Sequence, residues 1–324
     1  MTAEAGVSKA GRLTGLRAET LAALQTAGLR PGDVLRVVRA ALDEDFRYGA
    51  DVTSAATVAG RTVTADVVAR EAGVIAGLPV ALAVFDLLPE FLGGAGTIPD
   101  APAGETVAAA ALVPDGARVA AGCAVLRVSG DAAAVLGAER TMLNFLTHLS
   151  GIATATRAWA DAIAGTGAVV RDTRKTLPGL RGLEKYAVRC GGGENHRMGL
   201  GDAALVKDNH VAAAGSIGAA VRAVLTAARP GLVIEVECDS VDQVREALAA
   251  GARFILLDNM PAPALREAVA VARAYDGVRL EASGGLQLAN AREVALTGVD
   301  YLSVGALTHS ARALDLGLDY SGAA

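Results

Sequence analysis

Six short apolar runs with strand-like composition alternate with helix-like segments from residue 168 onward. In chain order they are AVVRDT, ALVKDN, LVIEVEC, FILLDN, RLEASGG and YLSVGAL. The intervening segment SVDQVREALAAG at 240–251 predicts a helix in which Ser240 and Gln243 form a capping box and Gly251 marks the end. Alternation of strand and helix favours a parallel sheet, and six such units predict an incomplete β/α barrel.

All six predicted strands end in polar residues or glycine. One such strand end is typical of an ordinary loop, whereas six in succession indicate a common site. In β/α barrels the reacting groups lie at the carboxyl ends of the strands, so we expect these residues to surround a single mouth. They are Arg174, Lys175, Lys207, Asp208, Asn209, Glu235, Glu237, Asp258, Asn259, Ser283, Gly284, Gly285 and Gly305.

The first half of the chain has a different pattern, which predicts a mixed α/β sheet domain over residues 35–149. RPGDVLRVVRAALDEDF at 30–46 has the apolar spacing of a helix, with Asp33 as its predicted cap. RTVTADVVAR at 61–70 alternates as a strand does. The elements predicted after it are an apolar helix near 78–88, short strands within 106–128, and helices near 131–148 and 152–164.

Two further segments and the barrel complete the predicted organisation. Residues 1–34 are expected to form an N-terminal extension or helical arm. GGAGTIPDAPAG at 93–104 predicts a Gly/Pro-rich surface loop. The barrel domain is expected over residues 150–324.

Nothing in the sequence predicts a secreted or membrane protein. The first residues lack the apolar core of a secretory signal, and the uncharged apolar stretch at 72–85 is too short to span a bilayer. The three cysteines are odd in number and far apart, which favours reduced thiols and a cytoplasmic location.

Basic residues concentrate in one segment of an otherwise acidic chain. The formal net charge of −5 argues against general nucleic-acid binding. Residues 171–210 nevertheless carry eight basic and five acidic side chains, and they hold three of the four lysines. Such a basic island predicts a local anionic ligand, and lysine in an arginine-rich chain indicates a need for a compact ammonium. A solvated charged face is the alternative.

Three kinds of residue meet at the predicted mouth. Arginine forks bind carboxylates and lysine acts as a point charge for phosphate; the candidate cations are Arg174, Lys175, His196, Arg197 and Lys207. Glu237 and Asp258 suit Mg²⁺, sugar hydroxyls or a developing positive charge. Glycines in SGG at 283–285 and VGA at 304–306 expose backbone N–H groups to phosphate. Together these predict a phosphorylated sugar beside an anionic partner.

Several conspicuous residues have plainer interpretations. The triple glycine at 191–193 is either a tight turn or a place where a ligand approaches the backbone closely. His210 is expected to be a structural hydrogen-bonding group, and the acidic cluster at 43–45 a solvated helix end. Zinc binding by Cys190, Cys238 and His196 is disfavoured, because the spacing fits no familiar ligand pattern. Packing roles are expected for Met142, His148 and Trp159.

The block RDTRKTLPGLRGLEKYAVRCGGGENHRMGLGDAALVKDNH at 171–210 resembles the central part of the quinolinate phosphoribosyltransferases, also called nicotinate-nucleotide diphosphorylases (carboxylating). The same family is matched, in the same order, by DVTS, AERTMLNFLTHLSGIAT, IEVECD, ILLDN, EASGG and YLSVGAL. The likeness extends from about residue 35 to the C-terminus.

This resemblance implies transfer of phosphoribose from phosphoribosyl pyrophosphate to quinolinate, with Mg²⁺, in de novo NAD biosynthesis. The implied products are nicotinate mononucleotide, CO₂ and pyrophosphate. The implied fold is an N-terminal α/β sandwich domain followed by a C-terminal open, six-stranded β/α barrel. The resemblance also implies a homodimer with shared active sites, in which Arg140 reaches the site of the partner subunit; whether dimers assemble into hexamers stays open.

Roles follow residue by residue from the same resemblance. Catalytic roles fall to Lys175, Lys207, Glu237 and Asp258, with the two carboxylates as candidate Mg²⁺ ligands. Substrate binding extends to Arg140, Thr173, Arg174, His196, Arg197, Ser283, Gly284, Gly285, Val304, Gly305 and Ala306. Three alternatives stay open: a related transferase acting on another acid, a Schiff-base aldolase with Lys207 as nucleophile, and a non-catalytic phosphometabolite-binding protein.

Overall fold

The computed structural model describes residues 15–92 and 107–320 of the 324-residue chain. These residues divide into two compact units. The first contains the described residues up to Thr154, together with Pro178–Cys190 and the segment from Ala311 onward. The second contains Ala155–Leu177 and Gly191–Ser310. The division thus falls near the predicted boundary at residue 150, but two later segments belong to the first unit instead of the barrel.

A four-stranded antiparallel sheet forms the base of the first unit, in the order β12-β1-β5-β3. Its strands are β1 (Thr62–Ala69), β3 (Ala108–Ala111), β5 (Ala124–Asp131) and β12 (Leu316–Tyr320); a separate pair joins β2 (Gly73–Val74) and β4 (Arg118–Val119). Alternate residues of β1 are buried, as its sequence predicts. Because β12 pairs with β1, the C-terminal segment belongs to this unit and not to the barrel.

Helices cover this sheet, and the predicted helix at 30–46 is among them. They are α1 (Ala18–Thr26), α2 (Pro31–Phe46), α3 (Val52–Thr57), α4 (Leu78–Leu87), α5 (Pro89–Leu92), the first part of α6 (Ala132–Ala162) and α7 (Arg181–Cys190). Helix α2 buries Val34, Val38 and Leu42 along one stripe. The predicted cap is wrong, since Asp33 lies inside the first turn and Arg30 occupies the N-cap. Pro31 sets the start, because its fixed φ suits the first helical position.

The two helices predicted near 131–148 and 152–164 form one continuous helix of 31 residues, α6. Gly151 lies inside it and does not end it. A Cβ atom at Gly151 would lie 2.1 Å from the backbone oxygen of Arg312, so the glycine permits close backbone approach. Glycine lowers helix propensity by about 1 kcal/mol relative to alanine, which is too little to break a helix held by tertiary packing.

The second unit contains six parallel strands, in the order β6-β11-β10-β9-β8-β7. They are β6 (Val169–Arg171), β7 (Ala203–Val206), β8 (Val233–Cys238), β9 (Phe254–Asp258), β10 (Arg279–Ser283) and β11 (Tyr301–Ser303). Strands β6 and β7 are consecutive in the chain but lie at opposite edges, so the sheet is not closed. The prediction of an open six-stranded β/α barrel is confirmed.

Helices follow the strands of this unit as the alternating pattern predicts. They are α8 (Asp208–Ala214), α9 (Ile217–Ala227), α10 (Val241–Ala249), α11 (Ala262–Ala272), a 3-10 turn (Leu288–Asn290), α12 (Ala291–Ala295) and α13 (Ala306–His309). Helix α10 ends near Gly251, whose φ is +103°. The predicted capping box is wrong: Ser240 makes no side-chain cap, and Gln243 instead accepts a hydrogen bond from the N–H of Asp239 at 2.9 Å.

Part of the predicted N-terminal arm and the whole 93–104 loop lie outside the described residues. Within the arm, the structure describes α1 and the beginning of α2. Among the described residues, no single helix is both long and apolar enough to cross a membrane; one pair, Asp208–Ala214 with Ile217–Ala227, meets the length and composition requirement only jointly and is bent by 94°.

Candidate active site

The carboxyl ends of the six parallel strands surround a cavity of about 510 Å³ in the second unit. The strands run in one direction, so their ends meet at one edge of the sheet, as the sequence predicts. Sequence-predicted site residues that line the cavity are Thr173, Arg174, Lys175, His196, Arg197, Lys207, Glu237, Asp258, Ser283, Gly284 and Gly285.

Two arginines in the cavity wall lack partners for part of their guanidinium groups. The Nε atoms of Arg174 and Arg197 are buried and have no hydrogen-bond partner within the described part of the chain. Burial and the neighbouring Arg174 guanidinium lower the pKa of Arg197. Two like charges held near each other at half-buried positions disfavour one another, and an anion beside them would relieve this repulsion. The geometry therefore indicates a ligand with at least one carboxylate or phosphate group.

Lys207 and Glu237 form an ion pair at the cavity rim. Lys207 Nζ lies 2.6 Å from Glu237 Oε2, and the lysine side chain is 45% exposed. Lys207 directly follows β7 and occupies the N-cap of α8. Its backbone N–H donates to Nδ1 of His210 at 3.0 Å, which confirms the structural role predicted for that histidine. One carboxylate oxygen of Glu237 is thus held by lysine, and the other is available to a ligand.

The glycines at the cavity allow the chain to turn tightly there. Gly284 and Gly285 have φ values of +83° and +62°, which favour glycine. A Cβ atom at Gly305 would lie 3.0 Å from Cδ of Lys175 and 3.4 Å from Oγ1 of Thr173, so this glycine adjoins the cavity residues.

Two of the predicted substrate-binding residues after β11 have other environments. Val304 is buried, and its N–H donates to the carbonyl of Arg171 at 2.9 Å, so this N–H is already engaged in the sheet. Ala306 begins the short helix α13 and is exposed. Neither residue is among those that line the cavity.

His196 is buried under the cavity, and the protein engages both of its ring nitrogens. Nε2 lies 2.7 Å from Oε2 of Glu235, and Nδ1 accepts the backbone N–H of Arg197 at 2.8 Å. Since Nδ1 is an acceptor here, the proton belongs on Nε2. Asp172 holds the segment in place by accepting the His196 N–H at 2.9 Å. The ring therefore orients Arg197, whereas the sequence predicts a cationic substrate clamp.

A buried polar layer lies beneath the predicted site, and sequence reasoning missed most of it. Glu281 is fully buried; it pairs with Arg171 at 2.6 Å and accepts a hydrogen bond from Ser303. Arg171 also lies over the ring of Tyr301, 4.6 Å from its centroid. Burial and the nearby Glu235 carboxylate raise the pKa of Glu281. The signal that could have found this layer is the two-residue period of a strand, because Glu281 and Ser303 each precede a predicted site residue by two positions and therefore share its face.

Asn259 lines the cavity, as expected of a strand-end residue, although the sequence predicts no specific role for it; Leu205 and Leu256 also line the cavity, which the sequence does not predict. Asn259 stands at a predicted strand end, but its left-handed backbone conformation, with φ +53°, has no signal in the sequence. The two leucines lie in apolar runs that are indistinguishable from core.

The remaining predicted residues are not among those that line this cavity. Arg140 is in the first unit, on an exposed face of α6, and its role at a partner's site stays a prediction. His148 pairs with the buried Glu184 at 2.9 Å, while Met142 and Trp159 are buried, which agrees with packing roles. All three cysteines are free thiols. Within the described ranges, the one cluster with metal-ligand spacing is His196, Glu235 and Glu281, without a cysteine.

Comparison with known sequence families matches both units. The family description "quinolinate phosphoribosyl transferase, C-terminal domain" matches residues 152–319. The corresponding N-terminal domain matches residues 51–150.

Individual relatives agree. A nicotinate-nucleotide pyrophosphorylase (carboxylating) of Mycobacterium leprae is 55% identical over 286 residues, which cover 87% of this chain and 95% of the relative. A probable nicotinate-nucleotide pyrophosphorylase (carboxylating) of Bacillus subtilis is 40% identical, with 85% and 89% covered. The solved nicotinate-nucleotide pyrophosphorylase from Francisella tularensis has a TM-score of 0.82 at 36% identity and covers 90% of this chain and 98% of its own.

Proposed function

Because the chain belongs to the quinolinate phosphoribosyl transferase family, we propose that it transfers phosphoribose from phosphoribosyl pyrophosphate to quinolinate with loss of CO₂. The products are nicotinate mononucleotide, CO₂ and pyrophosphate, so the enzyme is a nicotinate-nucleotide pyrophosphorylase (carboxylating) of NAD biosynthesis. Its reaction joins a diacid to a phosphorylated sugar, and the cavity offers complementary groups to both.

The arginine pair is the observation that carries this proposal. Arg174 and Arg197 are half-buried and have buried Nε atoms without hydrogen-bond partners in the described residues, in the same cavity as two carboxylates and a glycine turn. Quinolinate has two adjacent carboxylates, and a guanidinium fork binds a carboxylate bidentately. The two carboxylates of quinolinate therefore suit the two guanidinium groups. His196 fixes the Arg197 backbone and so supports this clamp.

The phosphoribosyl half of the cavity stabilises charge during transfer. Glu237 and Asp258 bind ribose hydroxyls and stabilise the positive charge that develops at the anomeric carbon as pyrophosphate leaves. The ammonium groups of Lys175 and Lys207 face the pyrophosphate or a quinolinate carboxylate. Ser283, Gly284, Gly285 and Gly305 hold the 5-phosphate. Positioning and fixed charges supply most of the rate in this scheme.

Decarboxylation then proceeds on the product of transfer. Once the ring nitrogen carries the ribose, the pyridinium stabilises the electron pair that stays on the adjacent ring carbon when its bond to the carboxylate breaks and CO₂ leaves. That ring carbon then takes up a proton from water. No protein base is required for this bond cleavage. The protein's contribution is to hold the ring in place through the arginine pair while charge moves into it.

Mg²⁺ fits the donor set of this cavity. The ion prefers hard oxygen ligands and is usually held by one or two carboxylates with substrate phosphates and water completing its shell. Glu237 and Asp258 lie on neighbouring strands, and each has one carboxylate oxygen engaged by a nitrogen of the protein, which leaves the other for a metal. When bound, Mg²⁺ neutralises charge on the pyrophosphate group.

The same proposal includes a cytoplasmic homodimer with shared active sites. Arg140 supports it, because its side chain is exposed and forms no hydrogen bond or ion pair with any residue in the described ranges. A cation presented in this way is suited to a ligand or carboxylate on a second copy. The three free cysteines are compatible with a reducing compartment.

A Schiff-base aldolase with Lys207 as nucleophile is less well supported. An aldolase lysine must be free to attack a carbonyl carbon, whereas Nζ of Lys207 is held in an ion pair, 2.6 Å from Oε2 of Glu237. Borohydride trapping with a carbonyl substrate would detect this alternative.

The decisive assay follows CO₂ released from carboxyl-labelled quinolinate. Release should require both phosphoribosyl pyrophosphate and Mg²⁺, should stop with chelator, and should return when Mg²⁺ is restored. Folded protein that leaves quinolinate unconsumed under these conditions would rule out the proposed reaction. A panel of pyridine carboxylic acids in the same assay separates quinolinate from other acids.

A further inference from the structure

We propose that Asn259 is a positioning residue for the phosphoribosyl-binding half of the cavity, where it orients the Asp258 carboxylate and fixes the Gly284–Gly285 turn. The inference rests on the proposed function and deepens it. It assigns a role to a residue that lies between the two groups assumed to hold ribose and phosphate.

The backbone of Asn259 is the first observation. With φ at +53°, it is the one non-glycine residue of positive φ in the described ranges. Side chains disfavour this conformation, although asparagine tolerates it better than most. Its N–H donates to the carbonyl of Ser283 at 2.8 Å, which extends the pairing of β9 and β10 beyond their last residues. Unfavourable backbone conformations of this kind concentrate at functional sites.

The carboxamide of Asn259 links two parts of the site. Its Nδ2 donates to Oδ2 of Asp258 at 2.8 Å, which leaves Oδ1 of that carboxylate for a ligand. Its Oδ1 occupies the space beside Gly284, where an added Cβ atom would lie 2.3 Å away. The side chain therefore lies across the glycine turn and fixes the aspartate at the same time. Gly284 must lack a side chain partly because Asn259 is there.

The backbone alone does not explain an asparagine at this position. Glycine would adopt the same φ without penalty, and Asn259 is exposed, so its side chain does not fill a core. What glycine would lack is the donor to Asp258. The carboxamide is therefore the part of the residue that the site requires, and its loss should affect the sugar phosphate more than quinolinate.

The test compares Asn259→Gly with the wild-type protein. Glycine keeps or improves the backbone conformation, so the Tm should stay the same or rise. Loss of a hydrogen bond to a charged carboxylate should raise KM and Kd for phosphoribosyl pyrophosphate by about tenfold or more. KM for quinolinate should change less than threefold, which corresponds to about 0.65 kcal/mol. Kd is measured by calorimetry without quinolinate, so this readout does not depend on turnover.

Two further variants separate positioning from structure. Asn290→Gly removes another carboxamide of the same unit, one that accepts the N–H of Gln287 at 2.9 Å and does not line the cavity; it should alter stability without a selective rise in KM. Gly284→Ala should impair the wild type strongly and the Asn259→Gly protein less, because the steric conflict with the carboxamide has been removed.

Unchanged Kd and KM for phosphoribosyl pyrophosphate in Asn259→Gly would overturn the inference, as would equal rises for both substrates together with a lower Tm. Failure of the proposed function is distinguishable, since the wild-type protein itself would then release no CO₂. In that case the calorimetric comparison still decides the role of Asn259, and a wild-type protein that does not bind phosphoribosyl pyrophosphate overturns both.

Discussion

Replacement of Arg197 by methionine separates the cost of holding two arginines together from the benefit of binding a diacid. Methionine has a similar length and no charge. In the ligand-free protein, burial and Arg174 disfavour the charged guanidinium, as the lowered pKa of Arg197 indicates. Within the described residues the guanidinium makes one hydrogen bond, from Nη1 to the carbonyl of Ala203 at 3.1 Å, which offsets only part of this cost. The free variant should therefore unfold at the same temperature as wild type or at a higher one.

Quinolinate binding should respond in the opposite direction. Removing one partner of a buried, hydrogen-bonded charge pair costs about 2–5 kcal/mol. Since each 1.4 kcal/mol is a factor of ten, the Kd for quinolinate should rise by roughly 30-fold to several thousand-fold. Saturating ligand stabilises wild type by RT ln(1 + [L]/Kd), about 2.7 kcal/mol at a hundredfold excess over Kd. The variant at the same concentration should gain between about 0.9 kcal/mol, for a 30-fold rise in Kd, and almost nothing, for a rise of several thousand-fold.

Calorimetric titration and thermal unfolding with and without quinolinate measure both quantities. Arg245→Met is the matched control: Arg245 forms a surface pair with Glu267 at 3.3 Å, with both side chains more than half exposed, and its loss should change neither quantity appreciably. If Arg197→Met binds quinolinate within twofold of wild type, the arginine pair is not the clamp. A large fall in Tm without ligand would show that the guanidinium is structural.

Three other expectations follow from the structure. The raised pKa of Glu281 means that the folded protein holds this proton more tightly than the unfolded chain does, so the stabilisation is full below the ordinary pKa of 4.5 and is lost as the pH rises through the folded pKa. When the free energy of unfolding is measured with urea across this pH range, it should depend less on pH in Glu281→Gln than in wild type. An unchanged pH dependence would contradict the assignment. Gly151→Ala should lower the free energy of unfolding by about 1–3 kcal/mol, because the added methyl would clash with the backbone packed against α6. The control is Gly182→Ala in α7, which has nothing within 4 Å of the added methyl and should be neutral or stabilising. Equal effects of the two substitutions would show that the close approach at Gly151 is unimportant. If sites are shared between subunits, mixing inactive Arg140→Ala and Arg174→Ala proteins under conditions of subunit exchange should restore about a quarter of wild-type activity, because about half of the dimers are mixed and each mixed dimer has one intact site. No recovery despite exchange would place each site within one chain.

The barrel and most of its cavity were predictable because they depend on local periodicity and strand direction. Each strand is a short apolar run, and parallel strands bring their carboxyl ends together wherever the helices pack. Lys207, Glu237 and Asp258 could therefore be assigned to one mouth without knowing any contact.

Contacts between distant segments could not be predicted. In the sequence, Gly151 of α6 is typical of a helix end; its close packing against the Arg312 backbone is evident only in the structure. The ring of His196 looks like a cation until Glu235 and the Arg197 N–H occupy its two nitrogens. The left-handed turn at Asn259 depends on Ser283 and Gly284, which follow it by more than twenty residues. Each of these features is decided by a partner that local patterns do not identify.

The position of β12 determines when folding can finish. Strand β1 pairs with a strand that is synthesised long after it, since residues 316–320 pair with residues 65–69. Until β12 has been made, one edge of that sheet has open backbone donors and acceptors, a state in which strands pair with wrong partners. Removal of residues 316–320, which do not line the catalytic cavity, would thus lower the yield of native enzyme more than its turnover.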